Sequence, residues 1–252
     1  MFKRAFTLAE VLITLGIIGV VSAMTLPTLM NKTQNKELHA QFQKVYSELN
    51  QVAMKFKVDE EIAAPEYCRR YGKAKFIERI SKYFKNVKIV DDTYYGSKDE
   101  EGNALSTKYT IHTMNGTAQR IPLCDMDGFR AEIGGRIFSF NDVPSAGENG
   151  PNICIDINGQ KGPNKYGYDF FIFIFTTDGF VIPIGQEHKN NPTYVAGGDN
   201  NALNFWNPPE YCTASRNTQG WQAACSYWAL KNEHPLFDGK DYWNDFLNEP
   251  KN

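Results

Sequence analysis

One acidic residue lies inside a long apolar segment. Between Phe6 and Met30 the only formally charged residue is Glu10, four positions after Phe6. An unpaired carboxylate in an apolar environment is costly, so an ionisable residue in such a segment is expected to have a partner and a function. Glu10 is therefore the first candidate functional residue.

The residue types most used in catalysis are not grouped. None of the four histidines has metal-ligand spacing or lies near a nucleophile motif such as Gly-x-Ser-x-Gly. No glycine-rich phosphate loop follows a predicted strand. We therefore expect no catalytic residues, no cofactor and no enzymatic activity. The histidines are His39, His112, His188 and His234.

The segment from residue 156 to 169 is the richest in oxygen ligands. Hard cations such as Ca²⁺ take several carboxylate and carbonyl oxygens, so Asp156, Asn158 and Asp169 form a candidate calcium site. The segment is not an EF-hand, because its sixth position is lysine and its twelfth is glycine. Asn-Gly and Gly-Pro turns between two strands also explain the segment without any ion, and we favour that interpretation.

The apolar segment around Glu10 is long enough to cross a membrane. A hydrocarbon core about 30 Å thick needs about 20 apolar residues in a helix, and residues 6–30 supply them. Lys3 and Arg4 precede the segment, so the positive-inside rule places the N-terminus in the cytoplasm and the rest outside. A secretory signal cleaved after Ala23, a plain anchor and a buried helix of a cytosolic fold are alternatives. None of them explains the acid.

The start of the chain resembles a known processing signal. Lys3-Arg4-Ala5-Phe6-Thr7-Leu8-Ala9-Glu10 is similar to the cleavage and methylation motif of type IV prepilins and of type II secretion pseudopilins. In that family a membrane peptidase removes a short basic leader that ends in a small residue, usually Gly, and the following Phe is N-methylated. The resemblance implies that residues 1–5 are the leader and that cleavage falls between Ala5 and Phe6. It also implies that Glu10 neutralises the N-terminal amine of a neighbouring subunit.

Three residues in the apolar segment weaken a helix. Proline removes a backbone donor and clashes with the preceding turn, and glycine lowers helix propensity by about 1 kcal/mol. In pilins that this chain resembles, such residues let the segment bend or partly unwind during assembly. Glycines that only pack membrane helices together are the alternative. The residues are Gly16, Gly19 and Pro27.

Residues 31–58 continue the helix with a polar outer surface. Apolar residues recur there at alternating spacings of four and three, which predicts one buried helical face. We therefore expect a single helix from Phe6 to about Lys57 whose second half packs on a globular head. The apolar face consists of Leu38, Phe42, Val45, Leu49, Val52 and Phe56.

Residues 59–186 are predicted to form that head. A short amphipathic helix is expected over residues 74–84, followed by short β-branched and aromatic strands with hairpin turns at Gly134-Gly135 and Asp178-Gly179. The result is an α+β fold in which the long helix lies on an antiparallel sheet, as in the pilin-like family. Strands are predicted at residues 87–91, 108–114, 129–133, 136–140, 153–157, 170–175 and 180–184.

Residues 187–252 form a loop-rich tail with one helix expected near 218–231. Its four tryptophans form either a binding face or a local core, and we favour the core. A Cys212–Cys225 disulfide is expected, because loops without a β-ladder gain most from a cross-link, and pilin-like proteins often close a C-terminal loop in this way. Two of Cys68, Cys124 and Cys154 are expected to form a second bridge, leaving one thiol.

Charge and composition give no sign of a nucleic-acid partner. The 27 basic residues nearly balance the 29 acidic ones, and the pI is near 6.1. Nucleic acid is therefore not expected as a partner.

The resemblance implies a structural subunit of a type IV pilus or type II secretion pseudopilus. The large head favours a minor subunit. Its partners would be the prepilin peptidase and methyltransferase, other pilin or pseudopilin subunits and the inner membrane. The chain would span the cytoplasmic membrane once, with its head outside, before joining an extracytoplasmic filament. A membrane-tethered or secreted extracytoplasmic binding protein is the alternative.

Overall fold

The protein is an α+β fold in which a long N-terminal helix lies on an antiparallel sheet. The coordinates are a computed structural model. They describe residues 7–90, 111–119, 130–141, 143–192, 195–196, 202–203, 211–215 and 219–249.

Helix α1 runs without interruption over Leu8–Glu60. It ends three residues later than predicted, where Glu61 takes the left-handed conformation with φ 59° that commonly closes a helix. All six residues of the predicted apolar face, from Leu38 to Phe56, are buried. The sequence periodicity therefore identified both the helix and the face that packs on the head.

Two short helices follow α1. Helix α2, Ala64–Tyr71, was not predicted from the sequence. Pro65 lies in the first turn of α2, where its missing N–H has no intrahelical partner in any case. Helix α3, Lys73–Ser81, confirms the predicted amphipathic helix but ends three residues earlier than expected, and Phe76, Ile77 and Ile80 are buried.

Six strands form the main sheet, and all neighbours in it are antiparallel. They are β1 Val87–Val90, β4 Arg130–Ile133, β5 Arg136–Asn141, β6 Asn152–Asp156, β7 Phe170–Phe175 and β8 Val181–Pro183. The strand order is β1-β4-β5-β6-β7-β8, and the turns at Gly134-Gly135 and Asp178-Gly179 are hairpins as predicted.

Two small ribbons lie outside the main sheet. Strand β2, Ile111–His112, pairs with β3, Ala118–Gln119, and β9, Val195–Ala196, pairs with β10, Ala202–Leu203. The predicted strand at 108–114 is confirmed only as β2, since residues 108–110 lie outside the described part of the chain and the chain turns after His112.

The core fills the space between α1 and the inner face of the sheet. Alternate residues of β7 point to α1, and the ring centroids of Phe42 and Phe171 are 4.6 Å apart. The remaining residues of β7 pack in a second apolar cluster with Tyr211, Ala223 and Ala224 from the tail. Strand β7 is therefore buried on both faces, which explains its unbroken run of apolar residues.

The tail contains a shorter helix than predicted. A 3-10 turn covers Gln219–Gln222, and α4 begins only at Cys225 and ends at Lys231. The helix starts late because the backbone N–H of Ala224 donates to the carbonyl of Tyr211 in the preceding loop. Farther along the tail, Trp243 is buried between α1 and the sheet, where it contacts Phe42 and Phe171. The tail therefore covers the core at this end of the buried half of α1.

Candidate assembly and membrane segment

Helix α1 begins with a capping box that involves the candidate acid. Thr7 is the N-cap residue, and the backbone N–H of Glu10 donates to its Oγ1 at 3.2 Å. In return, the backbone N–H and the hydroxyl of Thr7 donate to Glu10 Oε2 at 2.8 and 2.9 Å. Oε1 of Glu10 makes no hydrogen bond within the described residues. The carboxylate thus satisfies the helix start and keeps one oxygen for another donor.

Sequence reasoning missed Thr7. The signal was present, because Thr-x-x-Glu directly before an apolar run is the capping-box pattern. Within its own chain Glu10 binds Thr7, and its expected pairing with the amine of a neighbouring subunit stays a prediction.

The first half of α1 is not covered by the head. Its large apolar side chains from Leu8 to Met30 are exposed by 44% or more, with Val11 the lowest. Soluble monomers rarely expose a contiguous apolar surface of this size, so another apolar medium or another chain is expected to cover it.

Length and composition allow this half of the helix to cross a membrane. An 18-residue window in it has mean hydropathy 2.0, and none of that window is buried. At 1.5 Å per residue, Leu8–Met30 measures about 35 Å, against a hydrocarbon thickness of about 30 Å.

The three helix-weakening residues lie inside the continuous helix. Pro27 does not interrupt it, and a Cβ added at Gly16 or Gly19 would meet nothing within 4 Å. The two glycines therefore pack against no other part of the described chain. Their proposed role in bending stays a prediction.

The cleavage-site residues Ala5 and Phe6 lie outside the described residues. The next residue, Thr7, has an extended backbone with φ −77° and ψ 151°, and helix α1 begins at Leu8. The expected cleavage point is therefore two residues before the first helical residue.

The oxygen-rich segment uses its carboxylates to hold its own turns. Both oxygens of Asp169 accept backbone N–H groups, from Asn164 at 2.8 Å and from Lys165 at 2.6 Å. Burial raises the pKa of Asp169 to about 6, while these hydrogen bonds act in the opposite direction. Asp156 accepts the N–H of Asn158 at 3.1 Å. These bonds match the turn interpretation, and the calcium hypothesis stays untested.

Within the described residues, no group of three or more His, Cys, Asp or Glu side chains is placed to hold a metal ion. Two of the histidines bind carboxylates instead. His188 Nε2 lies 3.1 Å from Asp178 Oδ2, and His234 Nε2 lies 3.0 Å from Glu249 Oε1. His39 stacks on Trp243 at 5.1 Å between ring centroids.

The tail tryptophans contribute to the two apolar clusters. Trp243 is buried, and Trp221 and Trp228 are partly buried against those clusters, while Trp206 lies outside the described residues. The three described tryptophans therefore belong to the apolar core, but the clusters they join include residues of α1 and the main sheet, so the expected separate core of the tail is not what forms.

The Cys212–Cys225 disulfide is present as predicted. Cys154 is also disulfide-bonded, and Cys124 lies outside the described residues. Cys68 is the buried free thiol, and burial raises its pKa to about 12. Such a thiol is inert, because the reactive form of cysteine is the thiolate.

No family model, curated protein or solved structure matches this chain.

Proposed function

We propose that this chain is a pilin-like structural subunit that is made as a precursor, cleaved before Phe6 and polymerised through the first half of α1. The subunit would stand in the cytoplasmic membrane with its head outside before it enters a type IV pilus or a type II secretion pseudopilus. The size of the head favours a minor subunit. Prepilin peptidase and methyltransferase would act on it, and we propose no catalysis by the chain itself.

The observation that carries this proposal is the contrast along α1. One unbroken helix has an uncovered apolar half and a half that is built into the head. A cleavable secretory signal does not need to be rigidly continuous with a folded domain. A filament subunit does, because the same apolar surface must be covered first by lipid and then by other subunits.

The geometry of Glu10 gives further support. Oε2 holds the N–H of Thr7, while Oε1 is available to a second donor. A neighbouring subunit's amine could bind there without breaking the helix start. In an apolar filament core such an ion pair is much stronger than in water.

The mature N-terminus tests the proposal. Intact-mass measurement of the protein from its native host should show loss of residues 1–5 and gain of one methyl group. A chain starting at Met24 would indicate ordinary signal peptidase and would replace this proposal with that of a secreted binding protein.

Variants at the capping box separate the roles of Glu10. Glu10→Gln retains a cap at this position but loses the charge, whereas Thr7→Val loses the side-chain cap and retains the charge. We expect Glu10→Gln to be inserted in the membrane with a folded head but to be left out of filaments. Thr7→Val should still be incorporated. Equal incorporation of Glu10→Gln and the wild type would show that the ion pair is not needed.

A further inference from the structure

A charged groove runs along one flank of the second half of α1. It has a volume of about 620 Å³ and lies between α1, the segment that leads into β1, and the β4–β5 hairpin. Its charged lining residues are Lys44, Glu48, Lys55, Lys85 and Arg136. Four of these five side chains are basic.

Two of the basic groups are already paired. Arg136 binds Glu48 with 2.6 Å between nitrogen and oxygen, and Lys55 lies 3.3 Å from Asp59. Lys44 and Lys85 have no acidic group within 4.0 Å in the part of the chain that the structure describes. The groove therefore keeps a net positive charge that its own described neighbours leave uncompensated.

The opposite flank of α1 carries an acidic segment. Residues 238–249 include four acids and one lysine, and the lysine is 3.5 Å from Glu249. Asp238, Asp241 and Asp245 have no ion pair within the described residues. This leaves the segment with a net negative charge.

The geometry of α1 keeps the two charged regions apart. Trp243, in the acidic segment, stacks on His39 of α1, while Lys44 and Lys55 line the groove. At about 100° per residue, His39 lies roughly 140–160° around the helix from these two lysines. The acidic segment of one chain therefore cannot fill the groove of the same chain.

We propose that the groove of one subunit receives the acidic segment 238–245 of a second copy. This inference rests on the proposed function and assigns the contact between heads. Because the two surfaces differ and lie on opposite flanks, each subunit keeps one of each free for the next neighbour. A contact of this kind is heterologous, and it builds an open helical array unless its rotation closes a ring.

Charge reversal tests the contact in full-length chains reconstituted in membranes. The groove variant carries Lys44→Asp and Lys85→Asp, and the tail variant carries Asp238→Lys and Asp245→Lys. Each variant alone brings like charges together, so neither should associate through its head. In a mixture of the two, both kinds of contact are complementary again, and association should return.

Zero-length carbodiimide coupling of amines to carboxylates reports the contact. Mixed isotope-labelled and unlabelled wild-type chains should give peptides that join Lys44 or Lys85 of one chain to the 238–245 segment of another. We expect the yield of cross-linked dimer to fall about tenfold when either variant is tested alone, because like charges facing each other repel and because the replaced side chains no longer supply the amine or carboxylate that couples. In the mixture the exchanged amines and carboxylates face each other again, so the recovery of the cross-link reports the contact itself. Unchanged thermal unfolding of the head would show that the variants fold.

A matched control changes the same number of charges elsewhere. Lys36→Asp with Lys75→Asp reverses two exposed lysines outside both regions and should leave the cross-link intact. Loss in this control, or no recovery in the mixture of groove and tail variants, would overturn the proposed contact. If filaments still form without the cross-link, only this inference fails and the proposed function stands.

Discussion

The two halves of α1 have the same backbone conformation and opposite surroundings. From Leu8 to Met30 the large apolar side chains are exposed, whereas from Asn35 onward one face is buried against the sheet and the tail. The outer face of the second half is polar. The first half has no polar face, and its one charged residue, Glu10, lies near its start. The helix is continuous, so the change lies entirely in the side chains.

This difference shows how one helix can serve two environments. Apart from the donor that Pro27 lacks, the backbone of α1 can form its hydrogen bonds within the helix along its whole length, which lets the first half enter lipid with few unsatisfied backbone groups. The second half is held by long-range packing, and it fixes the direction in which the first half leaves the head. Changes in the second half should therefore destabilise the head, while matched changes in the first half should not.

Phe42→Ala should have the largest effect. Phe42 packs against Phe171 and Trp243, and removing a buried phenyl group typically costs about 3–5 kcal/mol of unfolding free energy. Denaturant unfolding in detergent, followed by tryptophan fluorescence, measures the loss. Ile18 is 60% exposed, so Ile18→Ala should change the free energy of unfolding by less than about 0.5 kcal/mol. Equal losses would mean that the first half also packs on the head.

Removal of the Cys212–Cys225 disulfide should loosen the tail that covers the second half. A bridge that closes a loop of this size contributes roughly 3 kcal/mol by constraining the unfolded chain. Replacing both cysteines by serine should make the tail sensitive to protease while the α1–sheet core survives. Simultaneous cleavage of core and tail would show instead that they unfold as one unit.

Asn35→Ala should act at the boundary between the halves. The Asn35 amide donates to the carbonyl of Trp243 at 2.9 Å, and that carbonyl loses its donor in the variant. We expect a loss of about 1–3 kcal/mol in the same denaturant experiment. The exposed neighbour Lys36 provides the control. Lys36→Ala should change the free energy of unfolding by less than about 0.5 kcal/mol.

The smallest effect is a pH dependence at His39. Burial lowers the pKa of His39 below 6.5, with Asp241 acting in the opposite direction. A depressed histidine pKa disfavours the protonated form in the folded state, so this contribution to stability is present above about pH 6.5 and is lost as the pH falls below it. His39→Gln should therefore lose less stability than the wild type between pH 7.5 and pH 5.5.

Asp169 also makes the stability depend on pH, so the contribution of His39 has to be measured as the difference between the wild type and His39→Gln. Its raised pKa of about 6 means that its contribution to stability is lost as the pH rises through 6, the opposite direction. Subtracting the His39→Gln curve from the wild-type curve removes the Asp169 contribution, which is common to both. A difference that stays constant, or that falls toward high pH, would contradict the assignment to His39.

The sequence alone determined the elements whose signals are local. Periodicity indicated α1 and its buried face, turn residues indicated the two hairpins, and β-branched and aromatic composition placed most strands of the sheet within a few residues. The capping box at Thr7 was equally readable but was missed. Such features follow from backbone geometry and from residues a few positions apart, so neighbouring residues suffice to predict them.

Only the tertiary structure decided what depends on residues far apart in sequence. It paired Asn35 with Trp243 and left Cys68 as the free thiol. It also placed the groove and the acidic segment on opposite flanks of α1. Contacts between residues more than a hundred positions apart leave no local pattern, because the packing of the whole chain selects them.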